Sequence, residues 1–318
     1  MSSRSLEIAL VVAALLPIGC AAELAPRVIE PSTQPRPSTP TLEQLANLTY
    51  YDVITAEPVK LVDGRWEGAP FAEGGSERPV VELIREPIIF GDLNGDGTDD
   101  AAVLLAESSG GSGTRIWVST VGVQLDRPTC FGSALVGDRP QIRSMRIDER
   151  GWIRLEVVDA GPRDPVCCPT KLWTKEWTLV EGKLMQVSAL MGESLSVELI
   201  ADREWTLTHF DMDEPAPPAL PITARFESGK LLGSSGCNNY FAETTGRQPG
   251  IIAFGAVGSS RRACPPDVMS VEQEFLTRLG LVTRYGFWMG RLALFWQDGE
   301  RSGTMLFTNS GTQEGGVP

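Results

Sequence analysis

The chain reads as a mainly β protein with an α+β part: an N-terminal antiparallel β domain followed by a second, α+β domain with one main helix. Three observations carry this. Short apolar runs of period two, separated by turn residues, fill the stretch from about Leu45 to Leu190. Only one segment, around Val271 to Leu279, shows clear helical spacing. With 318 residues, 42% hydrophobic and 22% charged, there is material for two ordinary cores.

The first element is a leader. Residues 1–20 read MSSRSLEIALVVAALLPIGC, with Arg4 ahead of an apolar run from Ile8 to Ile18 that ends in Gly19 and Cys20. That order is the outline of a secretion signal. The run falls short of the roughly 20 residues a membrane-spanning helix takes. Its end resembles the lipobox of bacterial lipoproteins, although Pro17 stands where that family usually has Leu. The resemblance implies acylation of Cys20 and a lipid anchor. Cleavage after another small residue nearby is the alternative. The implied location is the periplasmic side of a bacterial envelope membrane. Ala21 resembles an export-competent residue, which points to the outer membrane.

Residues 21–44 are rich in Pro, Ser and Thr without apolar periodicity, as in an extended tether. The β domain follows over 45–195. Its strand-like runs include VVELIREPIIFGDL, AAVLLAE, RIWVSTVGVQL and TKEWTLVEGKLMQV. Asp63-Gly64, Glu181-Gly182 and the ERG at 149–151 are its expected reversals. Alternation fades between Leu195 and Asp202, which marks a boundary. A second domain is expected over 203–308, and a flexible tail over 309–318.

Within the β domain, GDLNGDGTDD places oxygen donors at alternating positions of a tight turn: Asp92, Asn94, Asp96 and Asp100, with the Thr98 carbonyl and a glycine at 97. That donor set suits a hard cation such as calcium in a structural role. The loop resembles that of FG-GAP-type β repeats. Val103 stands where an EF-hand would supply its bidentate acid. The alternative is a solvated turn in which the aspartates accept backbone amides.

Export favours disulfides. Of the six cysteines, Cys237 and Cys264 are expected to pair, with Cys130 joined to one of Cys167 and Cys168, or those two joined to each other. Chemistry is otherwise sparse. His209 is the single histidine, which leaves little material for a histidine triad or a multi-histidine metal centre. GSSG at 233–236 and GGSG at 110–113 lack the context of a nucleophile elbow or phosphate loop. Glu156, Asp159 and Asp164 are the carboxylates a hydrolase would draw on. A net charge of −13 argues against nucleic acid as a partner.

The second domain reads EWTLTHF, then ITARFESGKLLGSSGCNNYFAETT, GIIAFGAV, SSRRAC, a helix, RLALFWQDG and TMLF. Gly236-Cys237-Asn238-Asn239-Tyr240, the distant Ala263-Cys264, and Glu272, Phe275 and Leu276 in the helix resemble the META domain of HslJ-like bacterial envelope proteins. NLTY, the acidic loop, GDR and DPVCCPT resemble the β domain that accompanies some META modules. That second resemblance implies no activity. The helix is expected to start near Asp267 or at Ser270, the latter with Gln273 as a capping box, and to bury Val271, Phe275, Leu276 and Leu279. The reading that follows is a non-enzymatic envelope lipoprotein acting by binding a protein or small ligand, or by envelope support. A carboxylate-dependent hydrolase working between the two domains is the alternative.

Overall fold

The computed structural model describes residues 39–309 apart from 55–56, 111–112, 163, 166–167 and 247. The leader with Cys20, most of the tether, Cys167 and the tail beyond Asn309 therefore lie outside the described residues. Among the described residues no helix is long and apolar enough to cross a membrane.

Helix α1 (Leu42–Ala46) starts inside the expected tether. Thr41 caps it: its hydroxyl accepts the Gln44 amide at 3.3 Å, and Gln44 Oε1 accepts the Thr41 amide at 2.9 Å. This reciprocal pair is a capping box, legible as Thr-x-x-Gln. Leu45 and Ala46 anchor the helix by burial.

A short ladder of β1 (Thr49–Tyr50) and β2 (Val59–Lys60) follows. Next come β3 (Arg65–Glu67), β4 (Val80–Gly91), β5 (Asp100–Ser108), β6 (Arg115–Gln124) and β7 (Arg127–Asp138), an antiparallel sheet in that order. A second antiparallel sheet holds β8 (Gln141–Ile147), β9 (Ile153–Asp159), β10 (Lys171–Val180) and β11 (Lys183–Ser194), ordered β11-β10-β9-β8. The first sheet is covered on both sides. Ala101, Val103 and Leu105 of β5 join Leu45, Tyr50, Val59 and Leu61 in one core. Ala102 and Leu104 join Ile142, Leu155, Val157 and Trp177 of the second sheet in another. Successive side chains of a strand face opposite ways, so a doubly covered strand reads as a continuous apolar run. AAVLL is that run.

Positive φ at Asp63 and Gly64 (52° and 86°) and at Glu181 and Gly182 (50° and 75°) shows why those dipeptides reverse the chain. Strand β4 breaks register between Ile84 and Ile89, where Pro87 has no N–H to give the ladder. The detour carries Glu86 out to Arg291, 2.8 Å away in the C-terminal body.

That body begins with a 3₁₀ turn (Val197–Ile200), then β12 (Glu204–Asp211), β13 (Glu214–Pro215), β14 (Thr223–Glu227), β15 (Lys230–Ser234), β16 (Asn239–Thr245), β17 (Ala253–Phe254) and β18 (Gly258–Ser259). Helix α2 (Pro266–Gly280) and strands β19 (Val282–Trp288), β20 (Arg291–Asp298) and β21 (Arg301–Asn309) complete it. The sheet path is β17-β16-β15-β14-β12-β21-β20-β19, with β13 on β12 and β18 on β16. Its ends meet: Ile251 bridges Arg284, and the Tyr285 amide donates to the Gly250 carbonyl at 2.9 Å. Phe275 and Leu279 of α2 lie in its core with Trp205, Phe226, Tyr240 and Phe307, and Val271 and Leu276 pack against it. The buried helix face is thus the one its spacing indicates.

The helix starts near Asp267, the first of the two expected positions, but without a side-chain cap. Pro265 is the N-cap and Pro266 the first helical residue, so Ser270 and Gln273 are interior. Proline suits that position because the first-turn N–H groups have no helical acceptor, and Asp267 meets the positive end of the helix dipole.

The β19–β20 turn docks on the N-terminal body. The Phe287 amide donates to Gln141 Oε1 at 3.0 Å and the Gly290 amide to the Ile142 carbonyl at 2.9 Å. Met289, partly buried, packs against the core between the two N-terminal sheets. A Cβ at Gly286 would stand 2.4 Å from Gln141 Oε1 and push that side chain from its place against the Phe287 amide. The described residues of both bodies accordingly belong to one compact unit.

Candidate functional site

The GCNNY segment turns the chain from β15 into β16, whose first residues are Asn239 and Tyr240, and burial decides what its polar side chains do. Ser235, Asn238 and Glu272 are 0%, 6% and 7% exposed. A buried carboxylate without donors would be costly. Here the Ser235 hydroxyl donates to Glu272 Oε1 at 2.5 Å and the Asn238 amide to Oε2 at 2.9 Å. The other end of Asn238 accepts the Arg262 amide at 2.7 Å and the Ser260 hydroxyl at 2.8 Å. Two residues on, Cys264 is bonded to Cys237, with Cα atoms 6.1 Å apart. Helix α2, the segment at 260–264 and the GCNNY turn are thus tied at one place.

Beside that clamp, the sheet carries an open groove of about 610 Å³ lined by Glu204, Thr223, Arg225, Leu232, Gly233, Ser234, Asn239, Tyr240 and Phe241. Tyr240 is held beneath it, its hydroxyl donating to the Thr223 carbonyl at 2.8 Å and its ring edge-on to Phe275 with centroids 5.3 Å apart. Phe241, on the opposite face of the same strand, is exposed. Arg225, paired with Glu227 at 3.3 Å, and Glu204 give the groove both signs of charge.

The carboxylates that a hydrolase would draw on are each engaged by a partner. Glu156 meets Arg143 at 2.6 Å. Asp159 meets the buried Lys175 at 2.6 Å, whose ammonium also donates to the Val136 carbonyl. Asp164 accepts the Gly161 and Thr170 amides and the Thr170 hydroxyl, which hold its carboxyl below the usual range. Burial lowers the pKa of His209 from the ordinary histidine value, and its ring contacts the Thr208 hydroxyl.

The acidic loop turns its oxygens to its own amides. Asp92 accepts those of Gly95, Asp96 and Gly97 at 2.6–3.2 Å. Asn94 accepts the Asp96 amide, and Asp96 accepts the amide and hydroxyl of Thr98, which lower its pKa. Asp100 differs. It is fully buried, its Oδ2 accepts the Leu93 amide at 3.1 Å, and its Oδ1 has no hydrogen-bond partner. Oδ1 lies against Gly122, where a Cβ would come within 2.2 Å of it. Burial, then the charges of Asp96 and Asp92, push its pKa up to about 6. Among the described residues no three His, Cys, Asp or Glu side chains are grouped as a metal ion would need.

The expected Cys237–Cys264 bond is present. Cys168 is also disulfide-bonded. Cys130 is free and buried in the core beneath α1, which rules out the first of the two alternatives, its pairing with Cys167 or Cys168. Its thiol packs among apolar side chains on β7, and burial raises its pKa.

Residues 198–310 match the META domain family model, so the C-terminal body is a META domain. A solved structure described as the NMR structure of the protein from Burkholderia xenovorans is 24% identical, covering 39% of this chain and 94% of its own, with a TM-score of 0.31. No curated protein matches the chain.

Two outcomes follow from this geometry. Glu272→Ala leaves the Ser235 hydroxyl only the Asn238 carbonyl and the Asn238 amide only the Arg262 carbonyl at 3.3 Å, cutting the tie of both to the helix. It is expected to lower stability by about 1–3 kcal/mol in urea unfolding, with Glu272→Gln milder. Asp100 has a folded-state pKa above its unfolded value, so its cost to stability is absent below about pH 4 and complete above about pH 6. The stability of Asp100→Asn relative to wild type should therefore rise from about pH 4.5 to about pH 7. A pH-independent difference would show that Asp100 ionises freely.

Proposed function

We propose that this protein is a non-enzymatic component of a bacterial cell envelope, anchored to a membrane through Cys20 and acting by binding at the groove of its META domain. The observation that carries this reading is the division of labour among its polar groups. Glu156, Asp159, Asp164 and Glu272 each hold a strand, loop or helix in place. The side chains left facing solvent beside the clamp are Arg225, Glu204, Asn239 and Phe241. A shallow site with both charges and one exposed ring suits a polar ligand or an extended protein segment.

The test is complementation in a strain lacking the protein, read as tolerance of envelope stress. Arg225→Glu with Phe241→Ala should abolish complementation while leaving the melting temperature unchanged. Asp159→Asn and Glu156→Gln should affect function only as far as they reduce folded protein. Loss of function at one of these acids, with stability intact, would favour the hydrolase. In the same strains Cys20→Ala should move the protein from the membrane fraction to the soluble fraction. Unchanged detergent partitioning would exclude the anchor.

The acidic loop enters this reading as a structural element, and calcium at Asp92, Asn94, Asp96, Thr98 and Asp100 is a separate proposal. It requires Asp92 and Asp96 to exchange loop amides for the ion. A melting temperature that rises with calcium and falls with chelator, with neither response in Asp96→Ala, would establish it. Identical melting with and without calcium leaves an amide-capped turn.

A further inference from the structure

Strand β11 ends its sheet, and among the described residues it is hydrogen-bonded on one side only, to β10. The far edge of that sheet, β8, is covered by the docked β19–β20 turn. The two ends of the META sheet bond to each other. The other twelve-residue terminal strand, β7, carries Pro128, which has no N–H to offer along an edge. Exposed edges are ordinarily blunted by charge or proline. Between Lys183 and Glu193, β11 reads LMQVSALMG, without a charge or a proline.

This edge is also apolar. Of the sixteen large hydrophobic side chains exposed among the described residues, four lie within seven residues here: Met185, Val187, Leu190 and Met191. That density separates a patch from the scattered apolar residues of any surface.

The order of residues indicates what covers it. Lys183 and Glu193 stand equally far from Ser188 on either side, and so do Met185 and Met191. An antiparallel two-fold pairing exchanges the ends of the strand. It sets Lys183 of one copy beside Glu193 of the other and places methionine by methionine. A parallel arrangement would instead put lysine by lysine. Strand β11 shifts register against β10 twice. One shift, between Gln186 and Ser188, leaves Val187 outside the ladder next to the axis, where the two copies present it to each other. The other, between Met191 and Ser194, lies at the end of the strand beside Glu193. We propose that β11 is the interface of a homodimer in which two copies join edge to edge, antiparallel about Ser188, into one continuous sheet. Such an interface is isologous: the same strand serves both sides.

The test uses the full-length chain carrying Cys20→Ala, so that any lipid at that position does not drive association. Sedimentation equilibrium at concentrations on the order of 100 μM is expected to show a dimer, and Val187→Pro or Leu190→Lys to weaken it by about tenfold or more. Both positions are exposed, and unchanged melting of the variants would confirm that the fold survives. Ser188→Cys, brought onto itself by the two-fold, should oxidise to a covalent dimer, whereas a cysteine at Leu125, 96% exposed on the β6–β7 turn, should not. Three results would each overturn the proposal: a monomer at every concentration, a dimer indifferent to both variants, or Ser188→Cys cross-linking only to a different protein.

Discussion

The C-terminal body depends on the disposal of one buried charge-bearing group, the Glu272 carboxyl. Placed on the buried side of α2, it needs donors that the helix does not supply, since helical amides are bonded to their own carbonyls. Ser235 and Asn238 supply them. Because Asn238 also accepts from Arg262 and Ser260, the requirement at one helix position sets the path of two loops. The disulfide from Cys237 to Cys264 joins the same two segments covalently, closing a span of 27 residues. The walls of the groove, from Ser234 to Phe241, inherit their shape from this arrangement. A rigid wall loses less entropy on binding than a mobile one.

The N-terminal body meets a different constraint, a strand that must be covered twice. Strand β5 exposes apolar side chains on both faces, so α1 with the β1–β2 ladder is needed on one side and the β8–β11 sheet on the other. The second sheet then has edges of its own. One receives Met289 and the Gly290 amide of the META domain, which completes a core and satisfies a backbone carbonyl together. Coverage of β5 on one side therefore propagates to the contact between the two bodies. The other edge is β11.

Features that arise within a few residues were legible in the sequence. The antiparallel strands, the reversals at Asp63-Gly64 and Glu181-Gly182 and the apolar face of α2 follow from periodicity and from which residues tolerate positive φ. The Thr41 capping box was equally available as Thr-x-x-Gln and was obscured by the proline-rich stretch before it. The reversal at Leu125-Asp126 was not: both residues take positive φ without glycine, the tight connection of β6 to β7 imposing what the side chains disfavour. Features that depend on distant residues were hidden. Glu272 meets partners 34 and 37 positions away, and nothing local says so. Whether Cys130 pairs was left open by the sequence, since export favours pairing without naming partners, and its place on β7, with the thiol in the core, decides it.

The acidic loop shows why residue type alone underdetermines a site. Its four aspartates look equivalent in sequence, and in the fold they divide by solvent access. Asp92 and Asp96 remain outside and spread their charge over amides made available by the turn, for which Gly95 and Gly97 take positive φ. Asp100, the first residue of β5, is drawn inward because the strand it begins is covered on both faces. The glycine at 122 on β6 leaves the space it occupies. Burial outweighs the backbone amides of Leu93 and Asn94 that reach its carboxyl, and its pKa rises. The demand that buries AAVLL therefore sets the electrostatics of the loop before it. A reading of that loop from its donors, without the strand behind them, omits the interaction that decides the protonation of its last member.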